Sequence, residues 1–187
     1  MSLIAACAPT GADAAPDGAM RVLESARQEG AGSGQIALLE DGDVSYDEYE
    51  TAMNRAFECM RDAGLAVSVA GTQRQNGTTV IKYTVQGTTA GTDLAGAAGK
   101  SLQDDCYLTE ARFVDMYWQT QSPDALAWAS RRAAALEPLL RECLVTDGAD
   151  VSADASFEEL INAASDRTQL NSTSDCMGEI GYSTWDG

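Results

Sequence analysis

The chain contains no histidine. That one absence removes a large share of enzyme chemistry. No Ser-His-Asp or Cys-His nucleophile can be assembled, no zinc site can use imidazole, and the commonest general base near neutral pH is missing. Lysine is almost as scarce, with Lys82 and Lys100 set against ten arginines. There is no Gly-x-Ser-x-Gly, P-loop, dinucleotide fingerprint or Ser-x-x-Lys, so none of the nucleophile or phosphate-cradling motifs is in place. No two cysteines are spaced Cys-x-x-Cys, which argues against a zinc ribbon or a thioredoxin-like centre. No apolar run approaches the roughly 18 residues of a membrane-crossing helix.

Positive charge is the other deficit. Acids outnumber bases 29 to 12, for a net charge of -17. Such a surface repels phosphates, which excludes nucleic acid as a partner, and charge alone would not hold it on anionic lipid. Its plain physical effect is solubility. Apolar residues nonetheless make up 44% of the 187 residues, enough to bury a core in one domain.

The cysteines carry the strongest signal present. Five occur: Cys7, Cys59, Cys106, Cys143 and Cys176. Leu3-Ile4-Ala5-Ala6-Cys7 resembles a bacterial lipobox, in which an apolar residue and small residues precede a cysteine that takes a diacylglyceryl group and becomes the new N-terminus. A full signal peptide also needs a basic segment and an apolar stretch of about 7–15 residues, so residues 1–17 read as a signal remnant followed by a flexible tether of Ala, Pro, Gly, Thr and Asp. Setting Cys7 aside for lipid leaves four cysteines, an even number that suggests disulfides in an exported chain. Four cysteines allow three pairings; Cys59–Cys106 and Cys143–Cys176 are preferred because each joins neighbours in sequence. The opposing reading is a cytosolic protein with free thiols.

Residues 18–187 read as a single globular domain of the α+β class: mainly helices with one β-hairpin, stapled by the two disulfides. The first helix is expected over 18–28, capped by Asp17, then a short apolar turn or helix over 35–40. Ser45-Tyr46-Asp47-Glu48 is a capping box with Val44 and Tyr49 at the staple positions, and Tyr49, Met53, Phe57 and Met60 recur at helical spacing up to a glycine cap at Gly64. Residues 65–70 and 78–85 read as strands joined by Asn76-Gly77, a tight-turn pair. Gly, Thr and Ala dominate 87–101, which reads as a mobile loop. A helix is expected over 106–119, and another from Ser122-Pro123, serine as cap and proline at the first position. Pro138 should kink that helix or begin a new segment. Ser156-Phe157-Glu158-Glu159 is a second capping box, with a helix to about 164, and Cys176, Tyr182 and Trp185 are expected to pin the polar tail. Cys59-x4-Gly64-x2-Val67-Ser68 is echoed by Cys143-x4-Gly148-x2-Val151-Ser152, either an old duplication or one helix-stop signal used twice.

Val44-Ser45-x-x-Glu48-Tyr49 ahead of a helix ending in Cys59-x4-Gly64, together with the lipobox, resembles small secreted or lipid-anchored proteins of high-GC Gram-positive (actinobacterial) bacteria. The likeness spans about a third of the chain. Such families are of unknown function, so it implies a location more than an activity. Asp41-Gly42-Asp43-Val44 with Glu48 also matches the back half of an EF-hand loop, making Asp41, Asp43 and Glu48 candidate calcium ligands; the earlier ligand positions fall on Ala37 and Leu39, which cannot coordinate, and the capping box accounts for the same residues without metal. Asn76-Gly77-Thr78 and Asn171-Ser172-Thr173 match the glycosylation triplet.

The expectation is therefore a lipid-anchored extracytoplasmic module: monomeric, without cofactor, touching the membrane only through its N-terminal lipid and binding an envelope protein or polymer. Tyr117, Trp118 and Trp128 either pack in the core or form a sugar- or partner-binding surface. The alternative from a different class is an envelope hydrolase working with paired carboxylates.

Overall fold

The computed structural model describes residues 18–87, 97–170 and 174–185. The expectations for Cys7, the tether, the Asp17 cap, most of the 87–101 loop and the Asn171 triplet lie outside those residues. Within them the chain forms α1 (Gly18–Glu29), α2 (Ser33–Leu39), α3 (Tyr46–Asp62), β1 (Ala66–Gln75), β2 (Thr78–Gln86), α4 (Ala97–Glu110), α5 (Arg112–Thr120), α6 (Pro123–Thr146), α7 (Phe157–Leu170) and α8 (Cys176–Glu179). The architecture is mainly helical with one antiparallel hairpin, and both cysteine pairs close as expected, Cys59–Cys106 at 2.02 Å and Cys143–Cys176 at 2.06 Å.

Local chemistry explains most boundaries. At the start of α3, Glu48 N–H donates to Ser45 Oγ at 3.3 Å while Ser45 N–H donates to the Glu48 carboxylate at 2.8 Å, so two otherwise orphaned amides are satisfied reciprocally. Val44 and Tyr49 are both buried beside it. Ser156 and Glu159 repeat the arrangement ahead of α7, which runs six residues further than its periodicity suggested. Helices α3 and α6 end alike. Gly64 and Gly148 take positive φ, 91° and 77°, and the next residue's amide turns back to the helix, Leu65 to Met60 O and Ala149 to Leu144 O, each at 2.9 Å. This is the left-handed glycine stop with its long return bond. A strand follows the first stop and none follows the second.

The core lies in two clusters. The first gathers Tyr49, Met53, Phe57 and Met60 of α3 with Val22, Ala26, Leu39, Ile81, Phe113, Val114 and Tyr117. The second is smaller, built from Leu140 and Leu144 of α6, Leu160 and Ala164 of α7, and Cys176. Each contains one disulfide: Cys59–Cys106 ties α3 to α4, and Cys143–Cys176 ties α6 to α8. In the chain-entropy account, loops of these lengths contribute about 4 kcal/mol each. The hairpin turn meets α6 closely. Asn76 and Gly77 both adopt positive φ, 49° and 81°, as a two-residue turn of the primed kind requires, and a Cβ at Gly77 would lie 2.4 Å from Trp128 Cβ.

Two expectations need correction. Residues 97–101 are not loop; they are the first turns of α4, where Gly99 is buried and Leu102 packs on the first cluster. The helix expected over 106–119 is two helices, broken at Ala111, whose φ of -138° is not helical. Gln35, fully buried, stabilises the break: its Nε2 donates to the carbonyls of Leu108 and Thr109, each at 2.7 Å. Of the two alternatives at Pro138, no new segment starts there: α6 runs on as one helix to Thr146.

Candidate functional site

The aromatic residues singled out in sequence do not share a surface. Tyr117 is buried in the first cluster, its hydroxyl donating to Gly42 O at 2.6 Å. Trp118 is half-buried, stacked on Tyr49 and edge-on to Tyr46, each at 5.7 Å, with Nε1 donating to Thr79 O at 2.8 Å. Trp128 lies on another helix, 9% exposed, packed edge-on against Trp185 at 5.4 Å. The Arg132 guanidinium sits between Trp128 and Tyr182, 5.0 and 3.6 Å from their ring centres, and donates to Tyr182 O. These contacts hold the C-terminal tail on α6 by cation–π and ring packing.

The EF-hand-like residues serve the start of α3. Asp41 Oδ1 accepts from Asp43 N–H at 3.2 Å, and the Glu48 carboxylate is occupied by Ser45. Among the described residues no group of three metal-ligating side chains gathers there or elsewhere.

One buried acid escaped the sequence reading. Asp115 of α5 is 9% exposed; its Oδ2 accepts from Tyr107 Oη and its Oδ1 from Gln119 Nε2 at 2.7 Å. Burial raises its pKa above the ordinary carboxylate value, and the two hydrogen bonds oppose that shift without cancelling it. Burial, followed by the nearby Asp115 charge, also pushes the Tyr107 and Tyr83 hydroxyls above their usual range. A polar residue one position from the buried pair Phe113–Val114 gives no periodic signal, so only the fold exposes this group.

A groove of about 440 Å³ lies between α6 and α8 at the Cys143–Cys176 bond, lined by Leu139, Thr146 and Ile180 together with the carboxylates Glu142, Asp147, Asp175 and Glu179. Asp147 is held below the usual carboxylate range by hydrogen bonds from Ser174 Oγ, at 2.6 Å, and then from Arg167 Nε, at 3.2 Å. That direction suits a fixed anion and opposes a general acid, which needs a raised value. Asp115, whose value is raised, lines neither this groove nor the second hollow beside Ser152 and Glu159. No family model, curated protein or solved structure matches the chain.

Proposed function

We propose that this chain is an exported, lipid-anchored binding module of the bacterial envelope, acting by contact and not by catalysis. One observation carries the reading: Cys59 pairs with Cys106 and Cys143 with Cys176, so the cysteine left over is Cys7, which stands in Leu3-Ile4-Ala5-Ala6-Cys7. Disulfides persist in oxidising compartments, and a lone cysteine after small residues is where a lipobox places its lipid. Among the described residues no helix is long and apolar enough to cross a membrane. The resemblance to small actinobacterial lipoproteins agrees with it.

The test is intact mass of the protein made in an exporting actinobacterial host behind a lipoprotein leader, measured before and after reduction. The expected species begins at a diacylglyceryl-modified Cys7 and gains the hydrogens of two reduced disulfides. An unmodified Cys7 with four free thiols overturns the reading and moves the protein to the cytoplasm.

A further inference from the structure

The two disulfides stand in different surroundings. Cys59–Cys106 joins α3 to α4 at the larger cluster and lines neither of the two hollows described above. Cys143–Cys176 is the covalent tie between α6 and α8, and both of its cysteines line the groove between those helices. Cys176 is 2% exposed, whereas Cys143 is half-buried. Cys143 is therefore the end of the bond that a thiol arriving through the groove meets.

That groove is locally anionic. Four carboxylates line it and no lysine or arginine does. Arg167, reaching in from α7, is committed to Asp147 at 3.2 Å. Among the described residues no cation pairs with Glu142, Asp175 or Glu179. Glu179 Oε2 stands 3.5 Å from Cys143 Sγ. A disulfide sulfur has no proton to donate, so this contact sets a carboxylate beside the bond without neutralising it.

Disulfides are opened by thiolates, which are themselves anions. Two charges about 4 Å apart near a protein surface interact by more than the energy of a tenfold change in rate. An approaching thiolate is thus repelled at the bond itself, unless its own molecule carries a positive charge that the carboxylates can hold.

We infer that Cys143–Cys176 is a thiol-exchange site gated by local charge, opened preferentially by a thiol that carries a positive charge. The thiolate sulfur attacks Cys143 Sγ. A new S–S bond forms as the Cys143–Cys176 bond breaks, and the electron pair leaves on Cys176 Sγ, which takes a proton from water. A second molecule of the thiol attacks the mixed disulfide, frees Cys143 as its thiol and departs as the oxidised dimer. The cationic thiol is the reductant throughout. Opening the bond removes the covalent tie between α8 and α6. Nothing in this chemistry depends on Cys7 or on the binding-module reading.

The experiment compares cysteamine, a cationic thiol, with 2-mercaptoethanesulfonate, an anionic one, on the oxidised full chain with Cys7 blocked beforehand. Opening of each disulfide is followed by alkylation and peptide mass. Rates are taken per thiolate and divided by the same thiol's rate on bis(2-hydroxyethyl) disulfide, which is uncharged. The expected normalised ratio at Cys143–Cys176 is at least tenfold in favour of the cation. It should fall toward one in about 1 M salt, where the screening length is about 3 Å, and likewise in Glu142→Gln/Glu179→Gln. The charge-matched Glu24→Gln/Glu50→Gln, at exposed positions on α1 and α3, should keep the ratio. Glu179→Gln alone takes the place of the groove variant if the pair fails to fold. A smaller normalised ratio in the wild type overturns the inference, and so does a ratio that salt leaves intact. A control that lowers the ratio as far as the groove variant would assign the effect to whole-chain charge and also overturn it. Cys59–Cys106 opening before Cys143–Cys176 would do the same.

Discussion

The side-chain oxygen of Gln35 accepts the backbone N–H of Phe113 at 2.9 Å. Residues separated by 78 positions in sequence thus close one helix end against another. The same amide group donates to the last carbonyls of α4, so a single side chain supplies a C-terminal and an N-terminal cap to the break at Ala111.

Gln35→Ala takes this partner from the Leu108 carbonyl and the Phe113 amide in a buried place, while Thr109 O keeps the Gly32 amide at 2.8 Å. The expected cost is about 3 kcal/mol, seen as a lower denaturant midpoint at unchanged slope. Gln35→Glu should fare no better, because a carboxylate cannot donate to Leu108 and Thr109. An unchanged midpoint for either variant would show that water replaces the amide.

Asp115 predicts a pH dependence. Its folded pKa is raised above the ordinary 3.8, so the unfolded state releases its proton first. The stability it contributes is fully present below that ordinary value and is lost as pH rises through the folded value. Asp115→Asn should therefore gain on the wild type as pH climbs from below about 4 toward neutrality, measured as the difference in urea midpoints. A difference that stays flat over that range would mean the carboxyl titrates as it does in the unfolded chain.

Gly77→Ala tests the contact between the hairpin and α6. The added methyl meets Trp128 Cβ at 2.4 Å and Asp124 O at 2.9 Å, on a backbone with φ of 81°. The left-handed conformation alone costs roughly 1–2 kcal/mol, and the overlap adds to it. A fall in stability accompanied by a shift in tryptophan emission is expected. Wild-type stability and emission would show that the turn does not rest on α6.

What the sequence made legible was local. Ser45 and Glu48 sit three residues apart, Asn76-Gly77 is a dipeptide with few conformations, and Ser122-Pro123 marks a helix start by itself; each signal is complete within one turn. The cysteine pairing followed from joining neighbours in sequence. What stayed hidden was nonlocal. Ala111 looks like any helical alanine, and the reason the chain breaks there lies on α2. Residues 97–101 have a loop-like composition but gain a helix because Leu102 and Cys106 pack on α3. Trp118 and Trp128 sit on adjacent helices, yet ring partners from α3 and from the tail bury them separately. Asp115 has a role only when Tyr107 and Gln119 close over it.

The order of the cysteines along the chain has a consequence for biogenesis. Cys59 bonds to Cys106 and Cys143 to Cys176, each pair consecutive in the order of the cysteines. A chain threading out of a pore N-terminus first would meet each correct partner as it emerged, and neither bond would wait for a distant segment or need reshuffling. The competitor is Cys7, which emerges before all of them and, as a free thiol, would be the first to reach Cys59. On the proposed reading, acylation of that sulfur would remove this competitor before the rest of the polypeptide had left the pore.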